Sequence, residues 1–348
     1  MQTSRESIFK GAVRNFFSAF AIILGIMIAI IAVIMLCVFA SASQCSLAPK
    51  SSCVILPDGD GHRSLLNFSD PAILQLDIHG VIGVGNLTGK IFNNLLYDSR
   101  EDHLSNNRVK AIILHIDTPG GTVTDADDIY RGLMAYKKKY NVPVYAYIDG
   151  MCASGGMYVA SAADKVYASP SSVIGSVGVI LGPNFNFSEA MTKIGVSSLT
   201  ITEGKDKDSL NPFRPWKAGE EDSIRAVIAY LYDHFVNIVV QGRPRIEKQK
   251  LIQDYGAHIF DPVKAQELGY IDVAGTDMST ALKDLVHAAN IGEGKGYQLV
   301  QLQPPSSLFS DLAGGNLSLF KGKITHTFQI GPHLNSDMSG KFLYLYQP

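Results

Sequence analysis

The 348-residue chain has little net charge, −2 at neutral pH, and no long basic tract. Proteins hold nucleic acid largely by neutralising phosphates, so this balance removes nucleic-acid binding from consideration. Cysteine is scarce as well. Cys37, Cys45, Cys53 and Cys152 form no CxxC and no Cys/His spacing of the kind that encloses zinc, so neither a metal nor another cofactor is expected. The nine histidines fall in no recognisable Ser/His/Asp context. Charged residues make up only 18% of the chain against 46% hydrophobic, which excludes disorder and allows one large or two small domains.

What is present begins with an apolar run. Ala19 to Ala40 contains no charged or strongly polar side chain, and at 1.5 Å per residue it matches a hydrocarbon core of roughly 30 Å. Arg5, Lys10 and Arg14 precede it, whereas Lys50 and Arg63 follow at greater distance. The positive-inside rule therefore puts residues 1–18 in the cytoplasm, residues 19–40 in the inner membrane as a single-pass anchor, and the remainder outside. A cleaved signal peptide with Ala40-Ser41-Ala42 at its cleavage site is the alternative, and the length of the run favours a retained anchor. Residues 41–70, rich in Ser, Pro, Gly and Asp, read as a stalk. Cys45 and Cys53 within it are either a disulfide pair or two free thiols.

From Ala72 onward the pattern changes. Ile73–Ile78, Ala111–Ile116, Val142–Ile148 and Lys165–Ala168 read as strands, the middle two almost wholly apolar as buried parallel strands are. Thr88–Leu96, Asp125–Tyr140 and a stretch beginning at Ser154 read as helices between them. This alternation predicts an α/β fold. Three glycine-bearing segments follow strand ends: Asp117-Thr118-Pro119-Gly120-Gly121, then Asp149-Gly150-Met151-Cys152-Ala153-Ser154-Gly155-Gly156, then Gly175-Ser176-Val177-Gly178-Val179. Each alone is a turn, a helix cap or tight packing. Together, at successive strand ends, they predict the rim of an active site. Ser154, flanked by small residues, is the candidate nucleophile. In the absence of a histidine base, Glu203-Gly204-Lys205-Asp206-Lys207-Asp208-Ser209 offers two lysines, although such a segment taken alone is a solvated charged loop.

Residues from about Ala72 to Asp284 resemble the SppA signal peptide peptidases, the serine peptidases of family S49 distantly related to the Clp protease and the crotonase fold. The resemblance rests on an ordered set: Asp117-Thr118-Pro119-Gly120-Gly121, Ala153-Ser154-Gly155-Gly156-Met157-Tyr158-Val159-Ala160, Ala162-Ala163-Asp164-Lys165-Val166-Tyr167-Ala168, Gly175-Ser176-Val177-Gly178-Val179, Gly204-Lys205-Asp206-Lys207-Asp208, Gly242-Arg243 and Ala265-Gln266-Glu267-Leu268-Gly269-Tyr270-Ile271-Asp272. It implies a Clp/crotonase-like ββα superhelix over residues 71–290. It makes Ser154 the nucleophile, Lys207 rather than Lys205 the base, and Ser176 the hydroxyl that orients the lysine. Gly120 or Gly121 together with Gly155 would supply oxyanion donors, and Val177, Gly178, Val179 and Ile180 would border the substrate. It further implies hydrophobic peptides, signal-peptide remnants, as substrates, and dome-like homo-oligomeric rings in some of which serine and lysine come from neighbouring subunits. An inactive scaffold of the same fold and a crotonase-type acyl-CoA enzyme are the alternatives. Residues 291–348, with a late apolar Phe342-Leu343-Tyr344-Leu345-Tyr346, lie beyond the resemblance and read as a tail or as a segment that docks on a neighbouring subunit.

Overall fold

The computed structural model describes residues 8–42, 50–67, 69–292, 295–304 and 342–346. It falls into two units, 1–49 and 50–348. The first is one helix, α1 (Ile8–Ala42), containing the predicted apolar run. Its stretch Val13–Val33 has a mean hydropathy of 2.8 and is long and apolar enough to cross a membrane.

The second unit is built on a mixed sheet with strand order β1-β9-β2-β3-β5-β7-β8, and β6 also pairs with β5. Its centre is parallel: β2 (Ala72–His79) beside β3 (Val109–Thr118), β3 beside β5 (Val144–Ala153), and β5 beside β6 (Lys165–Ala168) and β7 (Val173–Gly175). The first two-thirds of β2, β3 and β5 are mostly apolar on both faces because both faces are covered there, whereas their C-terminal ends carry Asp77, His79, His115 and Asp149. Leu74, Leu76, Ile78, Ile112, Leu114, Ile116, Ala146 and Ile148 point into the larger core, under α2 (Gly89–Asp98), α3 (Val123–Tyr140) and α4 (Gly155–Ala160). Helix α3 shows why: Ala126, Ile129, Tyr130, Leu133 and Tyr136 recur at helical spacing, Thr122 caps its start and left-handed Asn141 ends it. On the opposite face Ile73, Ala111, Ile113, Tyr145 and Tyr167 pack a smaller core. The chain continues through α5 (Ser188–Lys193), α6 (Asp222–Gly242), α7 (Lys248–Lys250), β8 (Ile259–Phe260), α8 (Pro262–Leu268) and α9 (Met278–Ala288), which contributes Ala281, Leu282 and Leu285 to that smaller core. The mixed α/β sheet is the fold class expected from the sequence.

Two expected boundaries change. The stalk is not linker throughout, because β1 (Ser52–Leu56) pairs antiparallel with β9 (Gln298–Gln303). That pairing gives the apolar Val54-Ile55-Leu56 a sheet edge to join. Nor is the C-terminal stretch all tail. β9 lies parallel to β2 inside the sheet, and β10 (Leu343–Leu345) forms a two-stranded sheet with β4 (Gly120–Thr122). Cys45 lies outside the described residues, so its relation to Cys53 falls there too.

Candidate active site

Ser154 sits where β5 turns into α4, with φ 53 and ψ −112, a backbone conformation that a residue with a Cβ adopts only when its surroundings impose it. Here they do. Its N–H donates to the Gly175 carbonyl at 2.9 Å, its own carbonyl accepts the Tyr158 N–H at 3.1 Å, and the residue is 1% exposed. The hydroxyl lies 3.5 Å from the Gly178 carbonyl. Cys152, two residues upstream, is fully buried and burial pushes its thiol well above the ordinary range. It packs as a small apolar residue and offers no thiolate.

The first glycine turn closes over this serine. Gly120 has φ 97, and a Cβ there would overlap the Tyr344 carbonyl oxygen and crowd Gly155 N at 2.7 Å. Its N–H is already committed to the Thr118 hydroxyl at 3.1 Å, and that hydroxyl in turn donates to Gly80 O. Gly120 therefore supplies room rather than a donor. Gly121 stands directly opposite Tyr344 in the β4–β10 register. The flanking bonds, Val123 N–H to Phe342 O at 3.1 Å and Tyr346 N–H to Pro119 O at 2.8 Å, make Gly121 and Tyr344 a hydrogen-bonded pair by the alternation of an antiparallel ladder. The Tyr344 carbonyl thus points at the Gly121 N–H and lies against Gly155, whose own Cβ position is 3.0 Å from that oxygen.

On its other edge β10 is held by Ile180, whose N–H and C=O both bond Leu343 at 3.0 Å. Of the expected substrate-bordering residues, Ile180 does touch this strand by its backbone. Val177 instead is fully buried in the core, while Gly178 and Val179 are half-buried. The Tyr344 side chain fills a pocket unforeseen from the sequence. It stacks on Tyr158 at 5.1 Å, meets Phe235 at 4.4 Å and donates its hydroxyl to the Leu231 carbonyl at 3.0 Å. The signal for the pocket was the aromatic content of Met157-Tyr158 and of α6.

The lysine segment is placed differently. Lys207 is exposed in a turn whose bonds are local: Lys207 N–H to Gly204 O at 3.4 Å, and Ser209 N–H to Asp206 O at 3.1 Å. Arg214 braces it by donating to the Asp208 carboxylate at 2.7 Å, to Asp208 O at 2.8 Å and to Glu220. Those contacts hold the Asp208 and Glu220 carboxyls below their ordinary range. Among the described residues, neither Lys207 Nζ nor Lys205 Nζ bonds another side chain, and the buried Ser176 hydroxyl makes no hydrogen bond either. The Ser154, Gly121 and Gly155 groups are brought together, whereas Lys207 and Ser176 are not joined to each other within one protomer.

The remaining motif residues meet elsewhere. Arg243, 5% exposed, donates to Asp272 at 2.6 Å and to Ala163 O at 3.0 Å, and Asp272 accepts the Val166 N–H at 2.8 Å. This brace ties the end of α6 and the turn after α8 to the segment leaving α4.

A glycine-lined turn over a strained serine between strand and helix is the arrangement of an acyl-transfer hydrolase. Peptidase family S49 matches residues 136–291. A Synechocystis protein provisionally named protease slr0021 is 33% identical over 248 residues, 71% of this chain and 84% of its own length. An Enterococcus faecium protein provisionally named signal peptide peptidase SppA is 30% identical over 212 residues, and the match spans 60% of this chain and 61% of that protein. The chain belongs to peptidase family S49. Among solved structures, a ClpP1 mutant from Listeria monocytogenes aligns at a TM-score of 0.40 with 15% identity, over 60% of this chain and 94% of that one.

Proposed function

We propose that this chain is a membrane-anchored serine endopeptidase which cleaves hydrophobic peptides bound as an extended strand in the groove that β10 fills. The observation that carries this reading is the Tyr344 carbonyl, which β10 presents to Gly121 and Gly155 beside Ser154. A substrate strand laid along the same backbone edges, between β4 and Ile180, gains main-chain hydrogen bonds on both sides. Its carbonyl then faces the Gly121 N–H, with Gly155 packed against the same oxygen, the one that becomes negative.

The chemistry follows from these positions. Lys207, neutral, takes the Ser154 proton as Oγ bonds to the carbonyl carbon, and the Gly121 and Gly155 N–H groups hold the oxyanion. Collapse breaks the C–N bond, the lysine ammonium gives its proton to the departing amine, and an acyl-serine remains. Water, deprotonated by the lysine, attacks that ester, and the serine recovers the proton. Because Lys207 and Ser176 are unjoined within one protomer, the reading places Lys207 at the Ser154 and Ser176 of a neighbouring copy in a homo-oligomeric ring. Helix α1 anchors the ring, with the catalytic unit on the extracytoplasmic side. The relatives' names and the apolar groove support signal-peptide remnants as the substrate class.

Mixed assemblies test this. Full-length Ser154→Ala and Lys207→Ala chains are each expected to be inactive in detergent against a fluorogenic hydrophobic peptide, and co-assembled they are expected to recover part of the activity. Recovery requires one intact serine and one intact lysine from different chains. Inactive mixtures of assembled protein would confine the dyad to one protomer, and a fully active Lys207→Ala chain would remove the lysine from the mechanism.

A further inference from the structure

We infer that Asp77, His79 and His115 form a site for a borderline divalent cation of the zinc class, on the sheet face opposite the core that carries α4. Strand periodicity puts Asp77 and His79 on one face of β2, and the parallel register sets Asp77 directly beside His115 of β3. One ligand atom from each of the three lies within 4.8 Å of the others. A common centre is then within about 2.8 Å of all three, so side-chain rotation of well under 1 Å brings each to the ~2.0–2.2 Å of a bound zinc. Two imidazoles and one carboxylate, with coordination positions left open, suit such an ion better than magnesium or calcium.

The surroundings supply the outer support that such ligands ordinarily have. The Asp77 carboxylate is oriented by amide donors from Gln75, at 2.9 Å, and Gln301. His115 has Nδ1 3.8 Å from Asp77 and Nε2 3.9 Å from Asp149, so one ring nitrogen faces the centre and the other faces a second carboxylate. The His79 and His115 rings meet edge to face at 4.5 Å. A cavity of about 420 Å³, lined in part by Asp77, His79, Asn86, Gln301 and Gln303, opens beside the cluster and gives the ion an entry path. A search for Cys/His spacing cannot find these ligands, because they come from two strands and follow a period of two.

The ion would clip β2 to β3 at their C-terminal ends. Asp117, two residues beyond His115, accepts the Met151 N–H at 2.9 Å, so the clip lies next to the strand ends that carry both the Gly120 turn and the Ser154 turn. The site needs no proteolysis to be detected. Full-length protein in detergent, stripped with chelator, is titrated with Co²⁺ and read by its visible d–d absorption, then by displacement with Zn²⁺. The expected result is saturation at about one equivalent and a Zn²⁺-dependent rise in Tm. His79→Gln, at an exposed position, and Asp77→Asn, whose remaining carbonyl oxygen keeps one of the two amide hydrogen bonds, are expected to weaken binding at least tenfold, while Ser154→Ala binds as the parent does. Absence of a saturable Co²⁺ spectrum, or an unchanged titration in both His79→Gln and Asp77→Asn, would overturn the site and assign any residual binding to other histidines.

Discussion

The turn that carries Ser154 and the loop that carries Lys207 are opposites. Around Ser154 the backbone is over-determined: its N–H and C=O are bonded, its positive φ is imposed, and glycines on β4 and at the start of α4 leave space for a carbonyl oxygen. Around Lys207 the chain is exposed and braced mainly by Arg214 from seven residues away, with the lysine amine reaching no side chain among the described residues. On the proposed mechanism the contrast has a purpose: one protomer would preorganise the nucleophile and oxyanion donors, which tolerate no misplacement, and leave the proposed base on a segment whose final position a second surface can set. Preorganised donors are worth most when they cost no rearrangement at the moment of reaction.

The largest effect is expected where the rigid side is broken. In Gly121→Ala the new Cβ would overlap the Ile82 carbonyl oxygen, a backbone atom on the far side of the turn that cannot rotate away. The N–H must shift from the oxyanion position, and loss of one such donor costs roughly 10²–10³ in rate. We expect a fall in kcat of about that size with a circular dichroism spectrum like the parent's, against near-parent activity for Lys205→Ala in the exposed lysine loop. A folded Gly121→Ala chain with full kcat would take the donor role away from this residue.

A smaller effect in the opposite direction is expected when the groove is emptied. Deleting residues 342–348 removes Tyr344 from between Tyr158 and Phe235 and frees both edges that β10 occupies. Strand β10 belongs to a sheet of only two strands, so its removal leaves the main sheet intact. If β10 competes with substrate, KM for an external hydrophobic peptide falls by about tenfold, equivalent to ~1.4 kcal/mol, with kcat unchanged. The same preparation of full-length protein is expected to release a product ending at Tyr344, visible by mass spectrometry and missing in Ser154→Ala. A truncated chain that loses activity would instead make β10 a structural wall of the site.

The two regions also differ in how far the sequence disclosed them. Strands β3 and β5 were legible because burial on both faces makes their middles nearly continuous apolar runs, β2 and β6 because short apolar stretches alternate with the helical ones, and Ser154 because small residues flank it at a strand end. Strands β1, β9 and β10 were not, since each takes its character from a partner far away in the chain, Ser52 against Gln303 and Leu345 against Gly120. Strand-forming tendency is mostly a property of such neighbours. The Phe342–Tyr346 run stood out as apolar, but its partner is a glycine pair that carries no strand signal. Glycines 120 and 121 were equivalent in the sequence. Only the Thr118 hydroxyl, which occupies the Gly120 N–H, separates them. Likewise Gly242-Arg243 and Asp272 carried the family resemblance without revealing that they form a brace: a Cβ at Gly242 would overlap the Ser161 carbonyl oxygen, and Arg243 reaches Asp272.

The smallest effect is expected in the loop's own brace, and its pH dependence has a definite sign. Arg214 holds the Asp208 and Glu220 carboxyls below their ordinary range, so both are ionised in the ordered loop above the usual carboxylate pKa of about 4. A depressed carboxyl contributes order that is present above its unfolded pKa and lost as pH falls through the folded one. The parent loop therefore keeps its arrangement to below about pH 4. In Arg214→Ala the two carboxyls lose their partner, and Lys207 sits on a looser segment. We expect a fall in kcat/KM of several-fold at neutral pH, with KM nearly unchanged because the substrate groove is built by other residues. Any inactivation that follows loss of this brace on acidification should be absent from the variant's profile, which starts from the loosened state. An acid limb identical in parent and variant would show that Arg214 does not position the base.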